Sequence, residues 1–222
     1  MATRQNTRAT GNQTQTRILN DAIRLFAVRG YGGTSMRDIA SAGGIKAASI
    51  YEYFSCKEDL LHASLLEVLD RFHDHVLEGL DIDSAPEDQL QRIVEHHLTW
   101  QLGHADIAGA WDILADDQRA SEILSPQVRE DLERKRTLYH RVVAALVEAA
   151  FPGPAAGARA AAIIALCNRA PVWGHAIEGD DEEVAAFAIE FAHAIATAPV
   201  PAPAPVSSPR PSRGRTRVAR QG

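Results

Sequence analysis

The chain has 222 residues, 45% hydrophobic and 6% aromatic, with 23 Lys or Arg against 29 Asp or Glu and a formal net charge of −6. That length supports a sizeable core, no apolar run reaches the roughly 18 residues of a membrane span, and the polar stretch Met1 to Gln15 has no apolar signal segment, so the expected location is the cytoplasm. The charge is segregated: residues 1–57 hold eight basic side chains and three acids, residues 58–206 ten and 26, and residues 207–222 five arginines and no acid, the pattern of a basic head facing a polyanion above an acidic body.

Met1 to Gln15 carries Thr, Asn, Gln and Arg without periodicity and reads as a disordered arm. The first helix is expected from Thr16, its face made by Ile18, Leu19, Ala22, Ile23, Leu25 and Phe26, with Gly30, Gly32 and Gly33 as the stop. Thr34 or Ser35 caps a short helix over Met36 to Ala42, broken by Gly43 and Gly44. A third short helix runs from about Ala47 to Phe54. A long one follows over Glu58 to Leu80, with Leu60, Leu61, Leu65, Val68, Leu69, Phe72 and Val76 at helical spacing.

Ser84, Ala85, Pro86 and Glu87 read as N-cap, proline in the first turn and capping-box acid of a helix reaching about Leu102. Asp106 to Asp116 forms a further helix with Trp111 and Leu114. Ser125 and Pro126 start a long helix to about Ala150, and Ala155 to Ile177 forms another, interrupted where Pro171 removes a donor. Asp180 and Glu183 make a capping box for a last helix over Asp181 to Thr197. From Ala198 proline alternates with alanine or valine and then gives way to Ser, Arg and Gly, an extended tail.

No strand-like alternation occurs, so the fold class is all-α, about nine helices. The expected units are an arm at 1–15, a three-helix head at 16–60, a body at 61–198 and a disordered tail at 199–222. Cys56 and Cys167 are far apart and lack partners at ligand spacing, which argues against a disulfide framework or a zinc site.

The pattern Phe26, Gly30, Thr34, Ile39, Ala40, Gly44, Ile45, Ile50, Tyr51, Tyr53, Phe54, Lys57 and Leu60 resembles the DNA-binding domain of the TetR family. Two short helices joined by a glycine turn on a longer first helix are what major-groove recognition needs. Small Ala47 and Ala48 let the third helix approach base edges and offer methyls to thymine, Ser49 offers a hydroxyl, and Glu52 can accept from a cytosine amino group. The resemblance implies phosphate contacts at Thr34, Tyr51, Tyr53 and Lys57, which set register rather than sequence preference. Lys46 stands where the family usually has a capping Ser or Thr, so that cap is expected to come from elsewhere or to be lost, with the lysine free for phosphate. Tyr51, Tyr53 and Phe54 also fit the core of a small bundle. The amphipathic tyrosine rings favour DNA contact and Phe54 the core. Arg4 and Arg8 suit either a minor-groove arm or a solvated tail.

The resemblance further implies a body that binds a small molecule and dimerises through its last two long helices. Their small and aromatic positions here are Ala160, Ala161, Ile164 and Ala165, then Ala185, Phe187, Ala188, Phe191 and Ala192. Trp100, His104, Trp111, Tyr139, Asn168 and Trp173, with His97 and His175, are the candidate ligand-binding side chains, being apolar bodies with polar tips; each also fits an ordinary core. Asp116 to Arg119, Leu132 to Lys135 and Val172-Trp173 resemble members that regulate lipid and sterol catabolism and sense acyl-CoA thioesters. This implies a CoA-ester or fatty-acid-like effector met by Arg119, Arg134 or Arg169.

The expected partners are therefore double-stranded operator DNA, an effector and a second copy of the chain, with no membrane and no cofactor. The implied activity is a ligand-released repressor of a catabolic or efflux operon. The alternatives are a transcriptional activator or a low-specificity, nucleoid-type DNA-binding protein whose arginine tail supplies affinity. His73 with His75 and His96 with His97 sit one or two residues apart, on different helix faces, so metal ligation is not expected. No nucleophile with its base and no phosphate-cradling loop after a strand points to an enzyme.

Overall fold

The computed structural model describes residues 2–115, 122–177 and 179–199, and among these every regular element is helical. The helices are α1 Ala2–Arg29, α2 Met36–Ala42, α3 Ala47–Tyr51, α4 Lys57–Leu77, α5 Pro86–Gly103, α6 Ala105–Ala115, α7 Pro126–Ala150, α8 Ala156–Asn168, α9 Ala170–Trp173 and α10 Asp181–Thr197, with a 3-10 turn over Gly174–Ala176. None of the helices is long and apolar enough among the described residues to cross a membrane.

α1 begins at Ala2 rather than at Thr16, so the stretch expected to be a disordered arm is helical from Ala2. The stretch before Thr16 contains no proline, and extending a helix already nucleated downstream costs far less than starting one. Its amphipathic part buries Ile18, Leu19, Ala22, Ile23 and Phe26. Gly30 ends the helix at φ +77°. At Gly33 a Cβ would stand 2.5 Å from the Arg29 carbonyl oxygen, so the chain can double back there only on glycine.

Ser35, rather than Thr34, caps α2. Its hydroxyl accepts from the Asp38 N–H while the Asp38 carboxylate accepts from the Ser35 N–H at 2.8 Å, a reciprocal box that stops the orphan donors of the first turn from going unpaired. Gly44 makes the turn into α3 at φ +63°. At Lys46 no side chain caps α3, as the lysine there implies.

Three boundaries differ from expectation in the body. α4 stops at Leu77 because Glu78 turns extended and Gly79 takes φ +64°. Ala85, not Ser84, sits at the N-cap of α5, since the Ser84 hydroxyl is spent on the Asp81 carbonyl at 2.7 Å. The helix expected over Ala155 to Ile177, interrupted or kinked at Pro171, is interrupted slightly earlier: α8 ends at Asn168, and Pro171 lies in the first turn of α9, where a missing N–H is harmless. The capping boxes at Ser35 and Asp180 show both halves of the motif. The expected tail lies outside the described residues from position 200 onward, as does Arg119.

Packing joins head to body. α1 lies against α4 and α6, α4 against α5, and α7 spans the body against α5 and α8. Buried Leu60, Leu61 and Leu65 at the start of α4 and Val68, Leu69, Phe72 and Val76 further along belong to one core that runs from Ile18 to Ala196. Phe26, 1% exposed, sits in the head part of that core with its ring centroid 5.5 Å from that of Tyr31. Phe26→Ala is expected to destabilise the fold by about 3–5 kcal/mol, read as a lowered urea midpoint, because the aromatic volume it leaves cannot be refilled.

Candidate functional site

α3 is held from beneath by Ile50, fully buried, and Phe54, 6% exposed. That anchoring leaves its other side free: Lys46, Ala48 and Glu52 are exposed, Ala47 and Ser49 half-buried. Tyr51 and Tyr53 are 56% and 42% exposed, so neither ring is a core residue, whereas Phe54 is. The structure thus collects Lys46, Ala47, Ala48, Ser49, Tyr51 and Tyr53 on one short, solvent-facing element, with Arg37 exposed on α2 beside it in sequence.

Two expected DNA contacts have other roles. Thr34 is 2% exposed, and its hydroxyl donates to the carbonyls of Gly30 at 2.9 Å and Leu25 at 3.3 Å, sealing the end of α1. Its side chain is turned inward because those last carbonyls have no helical partner. Lys57 Nζ donates to the Tyr31 and Thr34 carbonyls at 2.7 and 3.0 Å and lies 4.2 Å from the Tyr31 ring centroid. The ammonium fastens the first turn of α4 to the loop that carries α2, so Lys57 is a positioning residue for the head.

About 22 Å along α4 from Lys57, by helical rise, Phe72 enters a second site. Here α4, α5, α6, α7 and α8 enclose a cavity of about 460 Å³. Val68, Leu69 and Phe72 come from α4, Trp100 from α5, Ala108 and Trp111 from α6, and Ile164 from α8, an apolar wall. Asp112, Glu133, Arg136 and Arg141 also line it and are exposed, forming a charged rim. Partial desolvation of its carboxyl against the cavity wall pushes Asp112 up, opposed by Arg169 and Arg136.

The polar interior is a chain of neutral groups. Tyr139 hydroxyl pairs with His97 Nδ1 at 2.9 Å, His97 Nε2 with Asn168 Oδ1 at 2.8 Å, and Gln101 Nε2 donates to the same Asn168 oxygen at 3.0 Å. Asn168 Oδ1 accepts from Nε2–H, leaving Nδ1 to accept from the tyrosine, which is the arrangement of an uncharged imidazole. Burial pushes His97 down to about 4 and raises the Tyr139 hydroxyl well above its ordinary value. Buried Cys167 is pushed up to about 12, which makes it an inert packed thiol.

Of the ligand candidates read from sequence, Trp100, Trp111, Tyr139 and Asn168 line this cavity, and so does His97. His104 does not: it stacks on Trp100 with centroids 4.2 Å apart and is absent from the lining. Trp173 lies elsewhere, its Nε1 donating to the Leu166 carbonyl at 3.0 Å and its ring near Phe187. His175 is exposed, and Arg134 is exposed and paired with Asp131. Phe72, His73, Gln101, Asp112, Arg136, Thr137, His140 and Arg141 are lining residues that sequence reasoning missed. Helical periodicity marks Phe72 as buried without saying that it borders empty space. No group of three or more His, Cys, Asp or Glu among the described residues is arranged to hold a metal.

A surface-exposed short helix on a glycine turn, braced by a longer helix and joined through α4 to a walled cavity, has the form of a helix-turn-helix head on a helical body. Residues 18–64 match the family of bacterial regulatory proteins described as the tetR family. The transcriptional repressor KstR2 of Rhodococcus jostii is 39% identical over 71 residues, 30% of this chain and 35% of that protein, so the chain spans about a third of the length of this curated relative. A tetR-family regulatory protein from Rhodococcus RHA1 superimposes with a TM-score of 0.71 at 26% identity, covering 83% of this chain and 97% of that one. AibR, solved with isovaleryl coenzyme A and operator DNA, shares the fold at a TM-score of 0.64 and 22% identity, with 80% and 97% covered.

The buried His97 carries a pH signature. Its folded-state value of about 4 lies below the ordinary 6.5, so the unfolded chain binds its proton first as pH falls. Stability is therefore full above about 6.5 and declines between there and about 4, by an amount on the order of 3 kcal/mol. His97→Gln, which keeps an uncharged hydrogen-bonding side chain, is expected to flatten that part of the urea-midpoint profile relative to the unsubstituted protein; parallel profiles would show that His97 is not the titrating group.

Proposed function

We propose that this chain is a ligand-released transcriptional repressor that grips operator DNA as a homodimer. The observation that carries this reading is the mechanical continuity between the exposed face of α3 and the cavity: α4 is fastened to the head by Lys57 and walls the cavity with Val68, Leu69 and Phe72. α6 adds a second link. Trp111 lines the cavity and donates from Nε1 to the Leu65 carbonyl of α4 at 3.1 Å, while Asp106 at the start of α6 holds Arg24 of α1 at 2.6 Å. Although burial alone would raise it, the Arg24 hydrogen bond and charge hold the Asp106 carboxyl below its ordinary range.

In this mechanism each head places α3 in the major groove, with the tyrosine hydroxyls and Lys46 on phosphate and Ala47, Ala48 and Ser49 toward base edges. The two heads of a dimer then meet half-sites one helical turn apart, roughly 34–36 Å. An effector that fits the cavity better when α4 and α6 have shifted draws the heads out of register, needing only a few kcal/mol of preference for that state. The dimer surface in this proposal is the outer side of α8 and α10. Phe187 and Phe191 stack on α10 with centroids 5.4 Å apart, 44% and 51% exposed, and Ala161 and Ala165 are exposed on α8. Ala160, Ala188 and Ala192, expected on the same surface, are instead buried within the protomer.

The effector class proposed is an apolar molecule with an acidic or CoA-ester end, and the gene set a catabolic or efflux operon. The apolar wall with Arg136 and Arg141 on its rim supports the first, and KstR2, a repressor, lends the sign of regulation. Arg136 and Arg141 replace Arg134 as the cations placed to meet such an end.

Gel shift against the DNA flanking the protein's own gene, with excess competitor, tests the head. Tyr51→Ala is expected to weaken specific retention by about 10- to 100-fold, the worth of a hydrogen bond to a charged group; unchanged retention would remove Tyr51 from the interface. Light scattering should report twice the chain mass, and Phe187→Asp with Phe191→Asp about the chain mass itself. In a thermal-shift panel of acyl-CoAs and free fatty acids, a ligand at 100 times its Kd is expected to stabilise the protein by about 2.7 kcal/mol, and no shift across the panel would count against the effector class.

A further inference from the structure

The cavity's interior is more selective than its apolar wall suggests. Gln101 is 7% exposed and lines the cavity, and its Nε2 is used on Asn168. Its Oε1 is buried with no hydrogen-bond partner among the described residues. Asn168 Oδ1 already accepts twice, from His97 and Gln101, and Tyr139 gives its proton to His97, so the network closes on itself and leaves one acceptor over. A buried acceptor in an apolar enclosure is a standing demand for a donor. His73 adds a second opening: it lines the same cavity, and its Nε2 is buried without a partner among the described residues.

The charged groups of the lining stand apart from this network. Arg136, Arg141, Asp112 and Glu133 are exposed at the rim, while His97 and Tyr139, the titratable groups that are buried in the interior, are both held in their uncharged forms. A carboxylate or ammonium pushed to that depth would lose its water and find no fixed counter-charge in the network. A hydroxyl fits, because it donates to Gln101 Oε1 and can also accept from an imidazole N–H such as that of His73.

Resting on the reading of this cavity as the effector site, we propose that the effector is an apolar molecule bearing an uncharged hydroxyl on its buried portion, selected by donation to Gln101 Oε1. Any anionic group it carries stays at the Arg136 and Arg141 rim. At Gln101 the site thus reads a neutral donor within an apolar body and discriminates against the corresponding ketone, whose oxygen can accept from His73 but offers nothing to Gln101 Oε1. Such a mismatch leaves two oxygens facing each other in a water-poor space, the situation in which polar selectivity is greatest.

The test uses three probes of one shape, 4-phenylcyclohexanol, 4-phenylcyclohexanone and phenylcyclohexane, titrated into the full chain and followed by tryptophan fluorescence, since Trp100 and Trp111 line the cavity. The alcohol is expected to bind at least about tenfold more tightly than the ketone, the loss expected when a buried polar group is left unpaired. Gln101→Met, similar in length but apolar, is expected to bring alcohol and ketone to equal affinity while phenylcyclohexane is unaffected or binds better. Equal or tighter binding of the ketone to the unsubstituted protein would overturn the hydroxyl inference and leave the effector-site reading standing. Binding of none of the three would overturn both. The unsubstituted alcohol-to-ketone ratio decides the matter even if Gln101→Met fails to fold.

Discussion

The contact of α4 with α1 is the constraint on which both ends of the molecule depend. Leu60, Leu61 and Leu65 are fully buried in the same core as Ile18, Ala22, Ile23 and Phe26, so the helix that borders the cavity is also the floor of the head. Burying one such side chain is worth about 1.5–3 kcal/mol, and several together bind the two units more firmly than any surface ion pair could. Lys57 adds direction to that attachment. By donating to two carbonyls of the glycine loop it sets the height at which α2 and α3 stand above α4, so a displacement of α4 cannot be absorbed by the loop without breaking charge-assisted hydrogen bonds.

Polar groups are treated differently in the two units. In the head they close helix ends: Ser35 with Asp38 at the start of α2, Thr34 with the carbonyls of Gly30 and Leu25 at the end of α1. Helices of seven and five residues have little stability of their own; the Ser35–Asp38 box with buried Met36 and Ile39 holds the first in place, and buried Ile50 anchors the uncapped second. In the body the buried polar groups serve no cap. His97, Tyr139, Asn168 and Gln101 come from three helices and satisfy one another across the packing, leaving Gln101 Oε1 without a partner among the described residues. A network of this kind fixes the relative rotation of α5, α7 and α8, which makes the cavity's shape a property of the fold rather than of its occupant.

The aromatic rings show the same division. Phe72 is packed edge-on against His97 and Tyr139 at 4.8 and 5.2 Å between centroids, locking the network from the α4 side. Phe187 and Phe191 stack on each other at the surface, where a lone protomer gives them only partial cover. Tyr51 and Tyr53 lie between these cases, exposed on an element whose anchoring residues, Ile50 and Phe54, are buried.

The sequence by itself determined the helical class, the order of the long helices and the place of the short ones, because apolar spacing of three and four, capping pairs such as Asp180 with Glu183 and punctuation by Gly30, Gly44 and Pro126 act within a few residues of chain. The exposed face of α3 was legible for the same reason: small residues followed by two tyrosines leave Ile50 and Phe54 as the apolar anchors. Tertiary structure alone decided which polar side chains were spent inside the protein and which remained open. Thr34 and Lys57 carry donors suited to phosphate, but carbonyls left over by α1 and its loop lie within their reach. Trp100 and His104 are neighbours on one helix turn, yet Trp100 faces the cavity and His104 only backs it. Gln101 carries no sequence signal at all; its meaning comes from Asn168, 67 positions away, brought within 3.0 Å by the packing of α5 against α8. A cavity is a property of what surrounds it, and the walls here come from five helices whose meeting no local pattern encodes.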